Sequence, residues 1–477
     1  MVLAIVSGLL QWIIIYFGDL GLTSDGVAYI KLAESVGTGS PFIVDNVLVT
    51  QWPPLYPIII WCVSQVLNVE TFVAMKVWAV LLSIGMSLVL VSFVPKSNRK
   101  VQILLAILFW GVATSVYFRC ALSESTFVFL LLSSFIAFKN IKETSSYSQF
   151  ALVGFIASLM TLTRFAGIGI FAGIALFYLI KERNLKNVFV MGISFIIPLV
   201  PWFLYIHSLD YPVAVRPFEV HIVSLDHIKG LAGSIYTFLK PISIIVVVPV
   251  IAASFIGITY LSNVKSRLFS KIDESSLYPT VILVYLLFLT LIICFLDFAV
   301  SYNSRLLIPC YVTFIIWISI EFTSLDFGKK MPKVIFILLI IGYSLGVFEQ
   351  STDHMQNGFR YTSDTWKNSE TKDYILDNHS VFYYSNAATV LKYYGADSIS
   401  RIPIKISPKT DKMVADAEQQ LESLVNKVKS GTCEIAILDN KKYYKKYFSI
   451  TDIENRMGDK LSKRTFNDGV IYYYIKK

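Results

Sequence analysis

The chain has 477 residues, of which 55% are hydrophobic, 14% aromatic and only 16% charged. Soluble globular proteins carry roughly 25% charged residues, so this composition excludes one and indicates a chain that crosses a membrane many times. The formal net charge of +9 is then the Lys and Arg excess of cytoplasmic loops, and it implies no nucleic-acid partner.

Residues 2–17 form the first apolar segment. It is about as short as a crossing can be. It has no basic flank and no small-residue cleavage site, so it reads as a retained helix and not a signal peptide. The stretch 23–57, TSDGVAYIKLAESVGTGSPFIVDNVLVTQWPPLYP, comes next as a first loop. Thr23 or Ser24 can cap a short helix that carries Asp25 in its first turn. Asp25, Tyr29, Leu32 and Val36 then share one face. A carboxylate at a helix N-terminus is favoured in its ionised form, which suits a base or an electrostatic anchor. A simple capping role is the alternative for a lone acidic residue in such a place. The loop ends in Trp52-Pro53-Pro54-Leu55-Tyr56-Pro57.

Residues 55–67 are apolar but too short to span, as in an interfacial or re-entrant helix. Crossings are expected over 71–94, 101–116, 122–138, 150–162, 165–180, 188–206, 242–261, 281–298, 306–320 and 334–348, about eleven with the first. Alternate connections are basic: Lys96/Arg99/Lys100, Lys139/Lys142, Lys181/Arg183/Lys186, Lys265/Arg267/Lys271 and Lys329/Lys330/Lys333. The intervening ones are acidic or balanced, beginning with Asp19, Asp25, Glu34 and Asp45. The bias puts the N-terminus in the cytoplasm, and the Asp25 loop and the C-terminal tail outside.

From residue 351 the composition turns charged and polar. This tail is expected to be a soluble α/β domain of roughly 125 residues. Strands are read at 380–384, 434–438 and 469–475, and helices at 387–394 and 412–428. Cys433 is the lone cysteine of the tail, so the domain holds no internal disulfide. The other four cysteines lie in or beside apolar segments. They have no metal-ligand spacing, and the five histidines form no HxxxH cluster.

Arg119, Arg164 and Arg305 each stand near a predicted outer end of a crossing. Singly, such residues often snorkel. Together they offer cations at headgroup depth, and the planar fork of Arg suits phosphate. Glu124 is one turn inside a span, where a carboxylate faces the bundle interior or a cavity. Arg119 is a candidate partner that would make it structural.

The order of these pieces resembles the GT-C superfamily of integral membrane glycosyltransferases, within it the protein O-mannosyltransferase and aminoarabinose transferase group. The pieces are SDGVAYIKLAESVGTG, WPPLYP, ALSES at 121–125, LTRFAGI at 162–168 and SRLLIP at 304–309. The resemblance covers the membrane region, residues 1–350, with 18–57 as the outer catalytic loop, and more weakly an extracytoplasmic domain over 351–477. It implies a polyprenyl-phosphate sugar donor, transfer at the outer face of the plasma (inner) membrane, and Asp25 as catalytic base. It also implies Tyr29, Trp52, Tyr56, Arg119, Glu124, Arg164, Tyr302 and Arg305 as substrate contacts. Trp52 stands where some relatives have a Lys or His before the proline, which shifts the donor phosphate to Arg164 and Arg305. Gly26 stands where a second acidic residue often comes after the catalytic one, so a paired-acid metal site is not expected and no cofactor is required. The acceptor is left open among protein, lipid and glycan.

Two readings of other classes compete. One is a transporter or flippase for lipid-linked sugars, but no internal repeat is visible. The other is a polysaccharide polymerase or ligase, which would use a large late outer loop, here 207–240 with His221, Asp226 and His227.

Overall fold

In this computed structural model the described residues are 2–38, 41–44, 47–142, 145–209, 225–239, 274–295, 302–323, 330–406, 413–439, 447–448, 450–458 and 461–475. The first helix, α1 (Val2–Gly18), carries no charge. The first loop folds as α2 (Ser24–Val36), a hairpin of β1 (Ile43–Val44) and β2 (Val47–Leu48), and α3 (Leu55–Leu67). Then come α4 (Thr71–Leu90), α5 (Arg99–Phe109), α6 (Val112–Phe118), α7 (Glu124–Lys139), α8 (Tyr147–Thr163), α9 (Gly167–Glu182), α10 (Leu185–Ile196), α11 (Val200–Ser208) and α12 (Leu225–Leu239). The bundle closes with α13 (Leu277–Phe295), α14 (Ser304–Phe322) and α15 (Lys330–Asn357).

Among the described residues, four helical stretches are long and apolar enough to cross a membrane: Thr71–Phe93, Leu185–Ser208, Glu274–Phe295 and Ser304–Glu321. Val2–Gly18, Leu55–Leu67 and Tyr147–Thr163 are shorter apolar helices. Leu283, Leu287 and Leu291 recur every four residues along α13 and are 60%, 56% and 56% exposed. An apolar stripe turned outward is at home in lipid, and its opposite face, with Val281, Tyr285 and Leu289, enters the core. The stretch read as one crossing over 101–116 breaks at Trp110 and Gly111. Gly111 takes an extended conformation there, and α6 starts anew after it. The crossing expected over 242–261 lies outside the described residues.

Two apolar cores hold the bundle. The larger runs through α4, α5, α7, α8, α9, α13 and α14. The smaller one lies under the first loop and joins Leu20, Leu22, Tyr29, Leu32, Phe42 and Tyr56 to Cys120, Ala121, Leu122 and Trp202. The hairpin end of the loop is pinned to α11. The Phe42 ring stands 5.0 Å from that of Trp202, edge to face, and the Tyr205 hydroxyl donates to the Pro41 carbonyl at 2.6 Å.

Beyond α15 the chain forms α16 (Asp364–Lys367), α17 (Glu370–Asp377), α18 (Ala388–Tyr393), α19 (Ala417–Lys429) and α20 (Ile450–Met457) around one mixed sheet. Its strands are β3 (Tyr383–Ser385), β4 (Ile399–Arg401), β5 (Glu434–Leu438), β6 (Leu461–Phe466) and β7 (Gly469–Tyr474), in the order β4-β3-β5-β7-β6. β3 lies parallel to β4 and β5, and the hairpin of β6 and β7 is antiparallel. The helix read from residue 412 begins at Ala417, because Met413 is still paired to Ile406 in an isolated bridge.

Candidate active site

Three chain segments far apart in sequence lie side by side beneath the first loop. Gly21 bridges Cys120 in parallel, and Leu22 bridges Arg360 in parallel. The Gly21 amide donates to the Arg119 carbonyl and the Ala121 amide to the Gly21 carbonyl, both at 2.8 Å. The Tyr361 amide donates to the Leu22 carbonyl at 2.9 Å. The parallel register sets the depth of two acidic side chains. Asp25 comes four residues after Gly21, and Glu124 four residues after Cys120. Each then opens a helix, so both carboxylates reach the same level in the first turns of α2 and α7.

The α2 start is built as the sequence requires. Thr23 is the N-cap, and its hydroxyl accepts from the Gly26 amide at 3.2 Å. α14 starts with Asn303, whose side-chain oxygen accepts from the Leu306 amide at 3.0 Å. That cap places Arg305 in the first turn of α14. The Tyr117 hydroxyl bonds Ser304 Oγ at 2.8 Å and the Tyr285 hydroxyl donates to the Leu306 carbonyl at 2.9 Å, which fixes this turn from two sides.

Arg305 is the meeting point. Its Nη1 pairs with Asp25 and its Nε with Glu124. Arg164, the C-cap of α8, pairs with the same Glu124 oxygen through Nη1 and also donates to Ser123 Oγ at 3.5 Å. Helix N-termini favour anions, so Asp25 and Glu124 sit well, whereas a cation in the first turn of α14 does not. The two carboxylates hold Arg305 there.

Exposure separates the two acids. The Glu124 side chain is 3% exposed and the Asp25 side chain 27%. Glu124 is an internal counter-ion that fixes both guanidiniums. Asp25 is the carboxylate that solvent or a ligand can reach. Tyr29, one turn after Asp25, bonds Ser123 Oγ through its hydroxyl at 2.9 Å. Burial pushes that hydroxyl up to about 12, so it stays protonated. Tyr56 and Trp52 meet the Tyr29 ring edge to face at 4.9 and 6.0 Å.

Asp25, Tyr29, Trp52, Tyr56, Glu124, Arg164 and Arg305 are thus brought together. Arg119 and Tyr302 are not. Arg119 is not the partner of Glu124; its Nη2 donates to Ser351 Oγ at 2.8 Å. The two residues are close in sequence, but the chain turns through Cys120 to Ser123 between α6 and α7. Tyr302 hydrogen-bonds to Thr290 of α13. Of the late outer loop, His221 lies outside the described residues, and Asp226 faces Lys229 at 3.4 Å on the exposed surface of α12.

Gly26 has a steric cause. A Cβ there would stand 2.9 Å from the Ala121 carbonyl oxygen and 2.8 Å from Leu22 Cδ1. A second acidic residue after Asp25 has no room, because α2 packs there on backbone. Arg360 is a cation that sequence reasoning missed. It is exposed and belongs to the third segment of the stitch, beside Leu22. Only the fold carries it from the tail to the segment that leads into α2. Asn303, a cap-type residue two positions ahead of the charged Arg305 and three ahead of the apolar run from Leu306, is the local signal that could have marked this helix start.

No family model and no curated protein matches the chain. Solved structures do. ArnT from Cupriavidus metallidurans bound to undecaprenyl phosphate aligns with a TM-score of 0.62 at 9% identity, over 99% of this chain and 97% of its own. The apo state of the same protein aligns with a TM-score of 0.64 at 10% identity over the same shares. A mutant of the mycobacterial arabinofuranosyltransferase AftD aligns with a TM-score of 0.50 at 12% identity, over 99% of this chain and 41% of that one. At such identities the likeness is one of fold. The chain is a multi-pass membrane protein with the fold of the GT-C glycosyltransferases ArnT and AftD.

Proposed function

We propose that the protein is an inverting glycosyltransferase that takes a sugar from a polyprenyl-phosphate donor at the outer face of the plasma membrane. The observation that carries this is the sharing of Arg305 between a reachable carboxylate, Asp25, and a buried one, Glu124. A guanidinium already holding one exchangeable oxyanion can hold another. A donor phosphate replacing Asp25 on Arg305 costs little, since one charge-assisted pair is exchanged for another. Arg164, paired with the same Glu124 oxygen, can share the load. Undecaprenyl phosphate is the ligand of ArnT, whose fold this chain shares over nearly its whole length.

Released from Arg305, Asp25 is a free carboxylate beside the sugar. The acceptor hydroxyl oxygen forms a bond to the anomeric carbon. The bond from that carbon to the phosphate oxygen breaks, and its electron pair leaves on the polyprenyl phosphate. The hydroxyl proton passes to Asp25. Arg305 and Arg164 stabilise the charge that grows on the leaving phosphate. The leaving group is a good one, so no general acid is needed, and one base with one displacement inverts the anomeric centre. Glu124 stays bound to both arginines and is no nucleophile. No cofactor enters this scheme. The loop over 18–57 and the unit beyond residue 351 would both lie outside, the latter covering the site or meeting the acceptor.

The test is release of polyprenyl phosphate by purified protein in nanodiscs, over a set of radiolabelled polyprenyl-phosphate sugars and candidate acceptors. Release with an inverted product anomer is expected. Donor bound and moved across the bilayer without cleavage would point to a transporter instead.

A further inference from the structure

Arg119 comes directly after α6, but its side chain lines a cavity of about 410 Å3 between α1, α5 and α15. The walls include Leu3, Val6, Leu10, Ile107, Trp110 and Phe348. Arg119 is 4% exposed. Apart from the Ser351 bond, its Nε and Nη1 are buried without a hydrogen-bond partner among the described residues, and none of the described ion pairs includes it. A buried guanidinium without a counter-ion is unfavourable, and each of the two free N–H edges, Nε and Nη1, can donate to one oxygen of an oxyanion.

The rest of the cavity is greasy and opens sideways. Val6, Leu10 and Phe348 are 44%, 54% and 70% exposed, so the groove joins the apolar outer surface of the bundle. From Gln11, which is anchored to the Phe118 carbonyl beside Arg119 at 3.0 Å, to Leu3 the groove runs along α1 for about 12 Å. A cation at one end of an apolar slot open to lipid has the form of a single-chain amphiphile site.

We infer that this groove holds an anionic phospholipid of the surrounding bilayer, its phosphate on Arg119 and one acyl chain along α1 toward Leu3. A bilayer lipid is favoured over the sugar donor because the groove opens laterally, and because the Arg119 side chain is not among those gathered on Arg305. The site therefore does not rest on the reaction proposed above.

The probe is phosphatidylglycerol with a diazirine on one acyl chain, doped into phosphatidylcholine nanodiscs holding the full chain. Wild type, Arg119→Gln and Leu10→Trp are compared after illumination and peptide mapping. Labelling is expected on α1 and α15, falling roughly tenfold in Arg119→Gln with the loss of one charged hydrogen-bonding group. Leu10→Trp fills the groove from its exposed side with Arg119 intact, and a similar loss is expected there. If Arg119→Gln fails to fold, the Leu10→Trp comparison decides. Three results would overturn the inference: undiminished labelling of Leu10→Trp, equal labelling by a diazirine phosphatidylcholine, or displacement by undecaprenyl phosphate in preference to unlabelled phosphatidylglycerol.

Discussion

Replacing Glu124 by Gln tests the division of labour between the two acids. The substitution keeps the shape and removes the charge. Two cations lose a counter-ion whose side chain is 3% exposed. Breaking a buried pair from one side costs about 3–5 kcal/mol. Arg305 keeps Asp25, and the Arg164 side chain is 18% exposed, so the lower end, about 3 kcal/mol, is expected. Asp25→Asn removes a partly exposed partner and should cost about 1 kcal/mol or less. In detergent, intrinsic tryptophan fluorescence should show Glu124→Gln melting roughly 3–6 °C below wild type and Asp25→Asn close to it. Removing one guanidinium as well restores neutrality, so the double variant with Arg164→Gln should melt above Glu124→Gln alone. A Glu124→Gln protein as stable as wild type, or a double variant that loses the sum of both single losses, would refute the assignment of Glu124 as an internal counter-ion.

Two further substitutions probe the first loop. Gly26→Ala sets a methyl against the Ala121 carbonyl and must lift α2 off the stitched segments; about 1–3 kcal/mol of stability should go, and turnover with it, as read by melting and donor cleavage. Burial raises the pKa of Glu34 above its ordinary value, against a smaller opposing effect of Lys31. A carboxyl raised on folding contributes stability below its unfolded pKa, and that contribution is lost as pH rises through the folded one. Glu34 is largely solvent-exposed, so the effect is small: Glu34→Gln should raise the melting temperature near pH 7 by about 1 °C or less, and the gain should vanish near pH 4; a gain independent of pH would contradict the partial desolvation of its carboxyl.

What could be read from the sequence was what is local. The α2 face with Asp25 and Tyr29 comes from helical spacing and a Thr cap. Arg164 and Arg305 were legible as cations at helix ends on one predicted side. The strands at Glu434–Leu438 and Gly469–Tyr474 come from short β-branched and aromatic runs beside turn residues. The partner of Glu124 was not legible. Arg119 is near in sequence, but helix α6 ends and the chain turns between them, so the two side chains part. The true partners stand 40 and 181 residues away. The parallel register of Gly21 with Cys120, which levels the two carboxylates, joins segments with no shared periodicity. Nothing in a single sequence encodes it, or the arrival of Arg360 from the tail.

In the proposed transfer Asp25 takes the acceptor proton. The most direct measurement is single-turnover cleavage of the identified polyprenyl-phosphate sugar by wild type and Asp25→Asn, with donor affinity measured on the same samples. A general base contributes about 10²–10⁴-fold. A loss of that size in rate is expected, with donor binding retained because Arg305 and Arg164 remain and the competing carboxylate is gone. An Asp25→Asn protein that cleaves donor at the wild-type rate would contradict it.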